Sequence, residues 1–503
     1  MSKFKLIPSS SAISTGVCTC AKTLCECNMK YCSTRGQEAG LTFKQVLFAG
    51  YAKDLGLYMP EDVPVLGPEE LQHLKGCSFP ELVCEIARKF IDEAEIPTTD
   101  LEEVIKDSLK RFRIPEVVRV EKLKGGLNIV ELFHGTTLAF KDLGLSVVCG
   151  LLSYFLAESS RHVTVLVGTS GDTGSAAIEG VRGRANMDIV VLLPKGRCTA
   201  IQELQMTTVL EDNVHVYRVD GSSDDLDHPI KQCFADTQLV AKHNLISVNS
   251  INWGRILVQV AHFFYTYFQL CEEVGCPVEV VIPTGACGNI TAGCIAQKMG
   301  LPITLVAGVN TNNIVARTLG EGDFSVKGDV VTSLAPAMDI QVPYNVERMM
   351  YLYANKDTAR VRQLMQEFEK SGKVTIPEDI MKAMKTGCTG TFTVDDDEIT
   401  KTLRRVHQEH HYVLCPHTAV AAAYHYSATR KIGEKSPPKG YIATASPAKF
   451  PEALQRAGLE PVTDLVAHLH SLPTRSVEMK KGEDWYSMLK AKIESISAGR
   501  AKA

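Results

Sequence analysis

VLVGTSGDTGSAA, residues 165–177, passes from a β-branched apolar run through a glycine turn into a run of small residues. A strand apolar on both faces, followed at once by helix, is the repeating unit of a parallel sheet covered on both sides. Gly171 and Gly174 permit close backbone approach, and the helix after them offers unpaired N–H groups to an anion. Ser170, Asp172 and Thr173 stand at that turn and would face the anion. Alone, such a turn is common to many phosphate and carboxylate sites.

The same texture recurs outward along the chain. LNIVEL (127–132), MDIVVLLP (187–194), VEVVIP (278–283) and ITLVAGV (303–309) are short apolar runs alternating with longer helical stretches. The class expected is α/β with doubly wound sheets. Upstream, residues 31–125 read as a mainly helical N-terminal domain, as in FPELVCEIARKFIDEA (79–94) with apolar positions at three- and four-residue spacing. Residues 1–30 read as a Ser/Cys-rich flexible extension. A catalytic α/β region of two subdomains is expected over 126–475, with KIGEKSPPKG (431–440) as a surface loop. A helical tail packed on the exterior is expected over 476–503.

Composition narrows the classes. Apolar residues are 45% and charged residues 22% of the 503, and 54 basic against 58 acidic residues give a charge of −4. This is the balance of a soluble globular protein, without the basic excess that nucleic acid or an anionic membrane requires. The longest mostly apolar run, residues 143–157, is too short and too interrupted for a membrane span. The 16 cysteines are about 3% of the chain, below the ~8–10% of a disulfide scaffold. Most are scattered through apolar segments, as in a reducing, cytoplasmic setting. Cys18, Cys20, Cys25 and Cys27 form a separate C-x-C cluster whose soft-metal reading is the weaker one. A mitochondrial transit peptide is disfavoured at the N-terminus because arginines are missing there.

Three further segments carry chemistry. In HGTTLAFKDLG (134–144) the turn after a strand should place Lys141 in the first turn of a helix. The helix dipole disfavours an ammonium there and lowers its pKa, as an imine-forming lysine needs. Taken alone, a solvated surface lysine is the more ordinary reading. VVIPTGACGNITAG (280–293) has neither the GK[ST] nor the G-x-G-x-x-G nucleotide pattern, which leaves a compact nest at Gly285, Ala286, Cys287, Gly288 and Asn289, sized for one terminal phosphate. YIATASPAKF (441–450) delivers Thr444 and Ser446 at a strand end before Lys449. An imine lysine, a phosphate nest, an anion-facing turn and a hydroxyl at a strand end together are the set that pyridoxal 5′-phosphate requires, with Thr444 meeting the ring nitrogen.

These segments resemble those of threonine synthase, a pyridoxal-phosphate enzyme of fold type II, the tryptophan-synthase β-like fold. YCSTRG (31–36) and GYAKDLGLYMPEDVP (50–64) resemble the start of the family's N-terminal domain. VNSINWGRILVQ (248–259), MDIQVPYNVERM (338–349) and CPHTAVAAAYHY (415–426) look most like the animal threonine synthase-like branch of the second type, whose members are regarded as phospho-lyases.

The resemblance implies Lys141 as the Schiff-base lysine, Gly285 to Asn289 as the phosphate loop, Asp172 near the cofactor's 3′-oxygen and Thr444 at the ring nitrogen. Ser170, Thr173, Asn252, Arg255 and Lys449 are implied as substrate-anion candidates. The partner implied is a small phosphorylated amino acid, O-phospho-L-homoserine or phosphothreonine, cleaved to phosphate, 2-oxobutyrate and ammonia. Threonine formation and loss of catalysis are the alternatives. Two departures stand out: Cys415 where the family often has aspartate before PHTA, and Leu55 where it usually has glycine.

Overall fold

The computed structural model describes residues 29–500 except 158, 160, 170, 428–435 and 464–465. The N-terminal cysteine cluster and Ser170 therefore lie outside the described residues. Two sheets organise the chain, built from strands β1 (Arg119–Leu123), β2 (Leu127–Glu131), β3 (Val163–Gly168), β4 (Met187–Pro194), β5 (Val214–Val219), β6 (Leu245–Ile246), β7 (Val278–Pro283), β8 (Ile303–Val309), β9 (Cys388–Thr393), β10 (Lys439–Ala443) and β11 (Val477–Met479). The larger sheet runs β9-β8-β7-β10-β2-β1 and the smaller β11-β5-β4-β3-β6. All pairings are parallel except β1 with β2.

Six helices position the site: α1 (Lys141–Ala157), α2 (Asp172–Val181), α3 (Ser223–Ala235), α4 (Trp253–Leu270), α5 (Gly288–Lys298) and α6 (Pro416–Tyr426). In α4 every residue except Gln269 is buried, as expected of a helix apolar on all sides that runs through a core. Trp253 at its start lies between Tyr31 and Phe90, with ring centroids 5.9 and 5.6 Å away. This contact joins the N-terminal region to the catalytic core. That region is a short hairpin, Tyr31–Ser33 with Tyr58–Pro60, and helices including Phe79–Ala87 and Thr98–Leu109.

The C-terminal tail departs from the helical expectation. Val477–Met479 extends the smaller sheet as β11, and the helix begins only at Trp485. Leu489, Ile493 and Ile496, on one face of that helix, pack with Met479 onto the sheet's outer side. The expected 431–440 loop also ends early. Lys439 and Gly440 open β10, and Lys439 is buried in an ion pair with Glu279.

The two departures from the family pattern occupy backbone positions. Leu55 has φ of 60°, the left-handed region that a glycine enters without strain. Cys415 caps α6: its Sγ accepts the Thr418 N–H at 3.4 Å, the place where an aspartate would do the same more strongly.

Candidate active site

Lys141, Thr169, Gly285 and Thr444 follow the C-terminal ends of β2, β3, β7 and β10, where ligands bind in open α/β sheets. One cavity draws its walls from both sheets and includes Lys141, Thr173, Arg255, residues 285–289 and Thr444.

The turn that delivers Lys141 is fixed by packing. A Cβ on Gly135 would lie 2.4 Å from Asp142, so only glycine fits against that carboxylate. Asp142 accepts the Thr137 N–H at 2.9 Å and the Thr137 hydroxyl at 2.7 Å, and burial pushes its carboxyl up to about 6. The Phe140 N–H donates to the Thr444 carbonyl at 2.8 Å, and the Ser446 N–H to the Leu138 carbonyl at 2.9 Å. The lysine turn is thus laid against the hydroxyl-bearing strand end. Lys141 is the first residue of α1. Burial lowers its pKa, Asp172 opposes the shift, and the charges of Arg255 and Lys449 reinforce it.

Asp172 opens α2 and is buried. Its Oδ1 is 2.8 Å from Lys449 Nζ and accepts Gln202 Nε2–H at 2.8 Å, while Oδ2 is 3.6 Å from Lys141 Nζ. Burial alone would raise this carboxyl, but Lys449 and Lys141 hold it well below the usual carboxylate range. Lys449 is fully buried, and its ammonium also donates to the Thr137 carbonyl at 2.8 Å. Asp172 and Lys449 therefore form a pair behind Lys141, outside the cavity lining.

A tight turn follows β7 at residues 285–289. A Cβ on Gly285 would lie 2.8 Å from the Ala337 carbonyl oxygen, and Cys287 sits at φ 64° as the cap of α5 with no side-chain capping bond. The N–H groups of residues 285–289 donate to no other group among the described residues. Asn289 Oδ1 lies 3.1 Å from His262 Nε2. Burial holds His262 down to about 4, so the ring is neutral and its Nε2–H donates, which fixes the orientation of the Asn289 amide.

Arg255 is buried on the cavity wall without an acidic partner among the described residues. One guanidinium N–H donates to the Val248 carbonyl at 3.2 Å, and burial lowers its pKa to about 10. Asn252, three residues earlier, is not in the lining. Its Oδ1 accepts the Gly254 N–H at 2.9 Å, and its Nδ2 donates to the carbonyls of Leu47 and Ser247, each at 2.9 Å. It is a helix cap and a clamp on the N-terminal region. The buried Arg348 supports the same loop by donating to the carbonyls of Ser250 and Ile251.

Several cavity residues carried no signal in the sequence reading: Asp224, Asp227, Gln259, Tyr344 and His417. They stand on helices or loops without a glycine turn or a strand end beside them. Asp227, on α3, makes no hydrogen bond or ion pair to a described residue, and burial raises its carboxyl to about 6.

Whether these residues suit pyridoxal 5′-phosphate can be judged from what is left unpaired. Asn289 Nδ2, Arg255 Nε and His417 Nδ1 are buried atoms without a hydrogen-bond partner among the described residues. All three belong to cavity residues and all three can donate. Together with the free nest amides they ask for a ligand that carries several anionic oxygens. The cofactor's phosphate matches the nest and Asn289, and Lys141 and Thr444 line the same cavity. The residues fit the group.

Comparison with known proteins agrees. The model described as threonine synthase N terminus matches residues 30–109, and that of pyridoxal-phosphate dependent enzymes matches residues 116–437. Threonine synthase-like 2 of Xenopus laevis is 52% identical over 471 residues, covering 93% of this chain and 99% of that protein. Threonine synthase of Pseudomonas aeruginosa is 37% identical, covering 88% and 93%. The PLP-bound threonine synthase of Brucella melitensis superposes with a TM-score of 0.83 at 34% identity, covering 92% of this chain and 98% of that one. No helix among the described residues is long and apolar enough to cross a membrane. With its lysine, nest and strand-end threonine arranged around one cavity, the chain belongs to the threonine synthase family of pyridoxal-phosphate-dependent enzymes.

Proposed function

We propose that the chain is a phospho-lyase that converts O-phospho-L-homoserine and water into phosphate, 2-oxobutyrate and ammonia. The observation that carries the proposal is Arg255, a buried guanidinium on the cavity wall with no acidic partner among the described residues. The nest accounts for one phosphate, the cofactor's. A second anionic group is then needed to meet a cation that burial would otherwise penalise heavily.

Pyridoxal phosphate, when bound, supplies the electron sink for carbanion chemistry next to the substrate's amino group. The chain's own residues do the rest. The Lys141 amine, its pKa lowered by burial and by the neighbouring charges of Arg255 and Lys449, takes the Cα proton. Asp172 lies 3.6 Å from that amine and steadies the ammonium that results. Arg255 binds the substrate's phosphate or carboxylate and orients the chain so that removal of a Cβ proton supplies the electron pair that breaks the Cγ–O bond and releases phosphate. A neutral hydroxyl at Thr444 leaves the cofactor nitrogen largely unprotonated and tempers the sink. Lys141, Asp172, the nest, Thr444, Thr173 and Arg255 thus take the roles of base, counter-charge, phosphate loop, ring-nitrogen partner and substrate contacts.

The chain is 50–52% identical to the Threonine synthase-like 2 proteins, the branch whose resemblance implies the lyase outcome, and 37% identical to a threonine synthase, so threonine formation is the second reading. Incubation of holoenzyme with O-phospho-L-homoserine should release phosphate and 2-oxobutyrate in equal amounts. Phosphate release with threonine as main product would replace the lyase by a synthase. Release from phosphothreonine alone would change the substrate. No turnover of either compound would leave a catalytically inactive binding protein.

A further inference from the structure

His417 is the second residue of α6 and is buried beside the active-site lysine. The backbone N–H of Ala337 donates to its Nε2 at 3.1 Å. That nitrogen must therefore carry a lone pair, and the proton of the neutral ring sits on Nδ1. The ring is neutral throughout the physiological range. Burial lowers its pKa to about 3, with Lys141 and Lys449 adding to the shift and Asp172 opposing it. Phe450 holds the ring edge-on, with centroids 4.9 Å apart. Nδ1–H is consequently a fixed donor on a buried ring. It has no acceptor among the described residues, and its residue lines the cavity with Lys141 and Thr444. A buried donor left without an acceptor is costly. A structure that orders the ring from two sides and leaves this one atom unpaired points to an acceptor arriving with a ligand.

We propose that His417 is a ligand-binding residue whose Nδ1–H donates to an anionic oxygen of the molecule in the cavity, either the ring oxygen of the cofactor or a carboxylate or phosphate oxygen of the substrate. Asp172, the group the family resemblance implies for the cofactor's 3′-oxygen, is an ionised acceptor already paired with Lys449. An anionic oxygen near Lys141 is better served by a neutral donor.

Two substitutions separate this role from a structural one. Gln at 417 can accept the Ala337 N–H as Nε2 does but has no donor at the Nδ1 position. Asn can place an N–H close to Nδ1 but loses the Ala337 contact. Cofactor dissociation is measured on each full-length variant without substrate, by equilibrium dialysis and the visible absorbance of the Lys141 adduct. The Michaelis constant for O-phospho-L-homoserine is measured at saturating cofactor. If the oxygen is the cofactor's, His417→Gln weakens cofactor binding roughly tenfold to hundredfold, the loss of one hydrogen bond to a charged group. If it is the substrate's, cofactor binding is unchanged and the Michaelis constant rises by that factor. In either case His417→Asn retains most of the wild-type value. Wild-type behaviour of His417→Gln in both measurements, or equal damage in the Gln and Asn variants, overturns the proposal. The cofactor measurement does not depend on the phospho-lyase reading, whereas the substrate measurement rests on it.

Discussion

Replacing Lys449 by methionine tests the charge arrangement behind the active-site lysine. Lys449 is fully buried, and its ammonium contacts the Asp172 carboxylate and the Thr137 carbonyl, each at 2.8 Å. Methionine preserves the stem volume and removes the charge, which strands a buried carboxylate. Breaking a buried ion pair on one side costs about 3–5 kcal/mol. The expected loss lies at the lower end, because Asp172 keeps Lys141 at 3.6 Å and the Gln202 amide at 2.8 Å. Changing both partners, Lys449→Met with Asp172→Asn, removes the stranded charge and should recover most of the loss. The sign with pH follows from Asp172, whose carboxyl is held below its ordinary value of 3.8 in the folded protein. A depressed acid contributes stability above its unfolded pKa and loses it as pH falls toward the folded one. The deficit of the single variant therefore shrinks on acidification, because the stranded carboxylate of the variant takes up its proton at a higher pH than the paired one of the wild type. Urea unfolding followed by far-ultraviolet circular dichroism at several pH values gives both quantities. A single variant within about 1 kcal/mol of wild type at pH 7, or a double variant that loses the sum of the two singles, would refute the pairing.

Other substitutions probe separate parts of the site. Arg255→Gln removes the unpaired guanidinium and should lower kcat/KM for O-phospho-L-homoserine by roughly tenfold to hundredfold, while dialysis shows cofactor affinity unchanged. Cys287→Gly keeps the nest's backbone and relieves a left-handed φ of 64°; cofactor affinity should hold, and the unfolding free energy from urea titration should be unchanged or rise by less than about 1 kcal/mol. Asp227→Asn removes an acid whose carboxyl is raised from 3.8 to about 6. A raised acid penalises folding above its folded pKa and not below its unfolded one. The variant should therefore be the more stable protein above pH 6, by at most about 3 kcal/mol from some two pH units at 1.36 kcal/mol each, with the gain fading below pH 4.

Central parallel strands were legible because both of their faces are buried. VTVLVG, MDIVVLLP, VEVVIP and ITLVAGV coincide with β3, β4, β7 and β8 residue for residue. Strands with one wet face or a free edge lack that continuous apolar signature. RVEKL (β1) is partly exposed along its length, CTGTFT (β9) is mostly polar, and VEM (β11) exposes two of its three residues. The same contrast holds in the site. Lys141, the nest and Thr444 sit where a strand ends and a turn must follow, so their positions come from local grammar. Asn252 and Arg255 share one segment, NSINWGR, and differ by three residues on the same helix start. What makes one a cap and the other a cavity wall is how α4 packs against the N-terminal region and the 247–249 loop. His417 is the sharper case. PHTA gives a helix start but no hint that the ring's Nε2 will meet the Ala337 N–H some eighty residues away in the chain. A donor becomes informative only when its other nitrogen is known to be taken, and that knowledge is tertiary. Residues whose role depends on which of their hydrogen bonds are already spent are the ones a single sequence conceals.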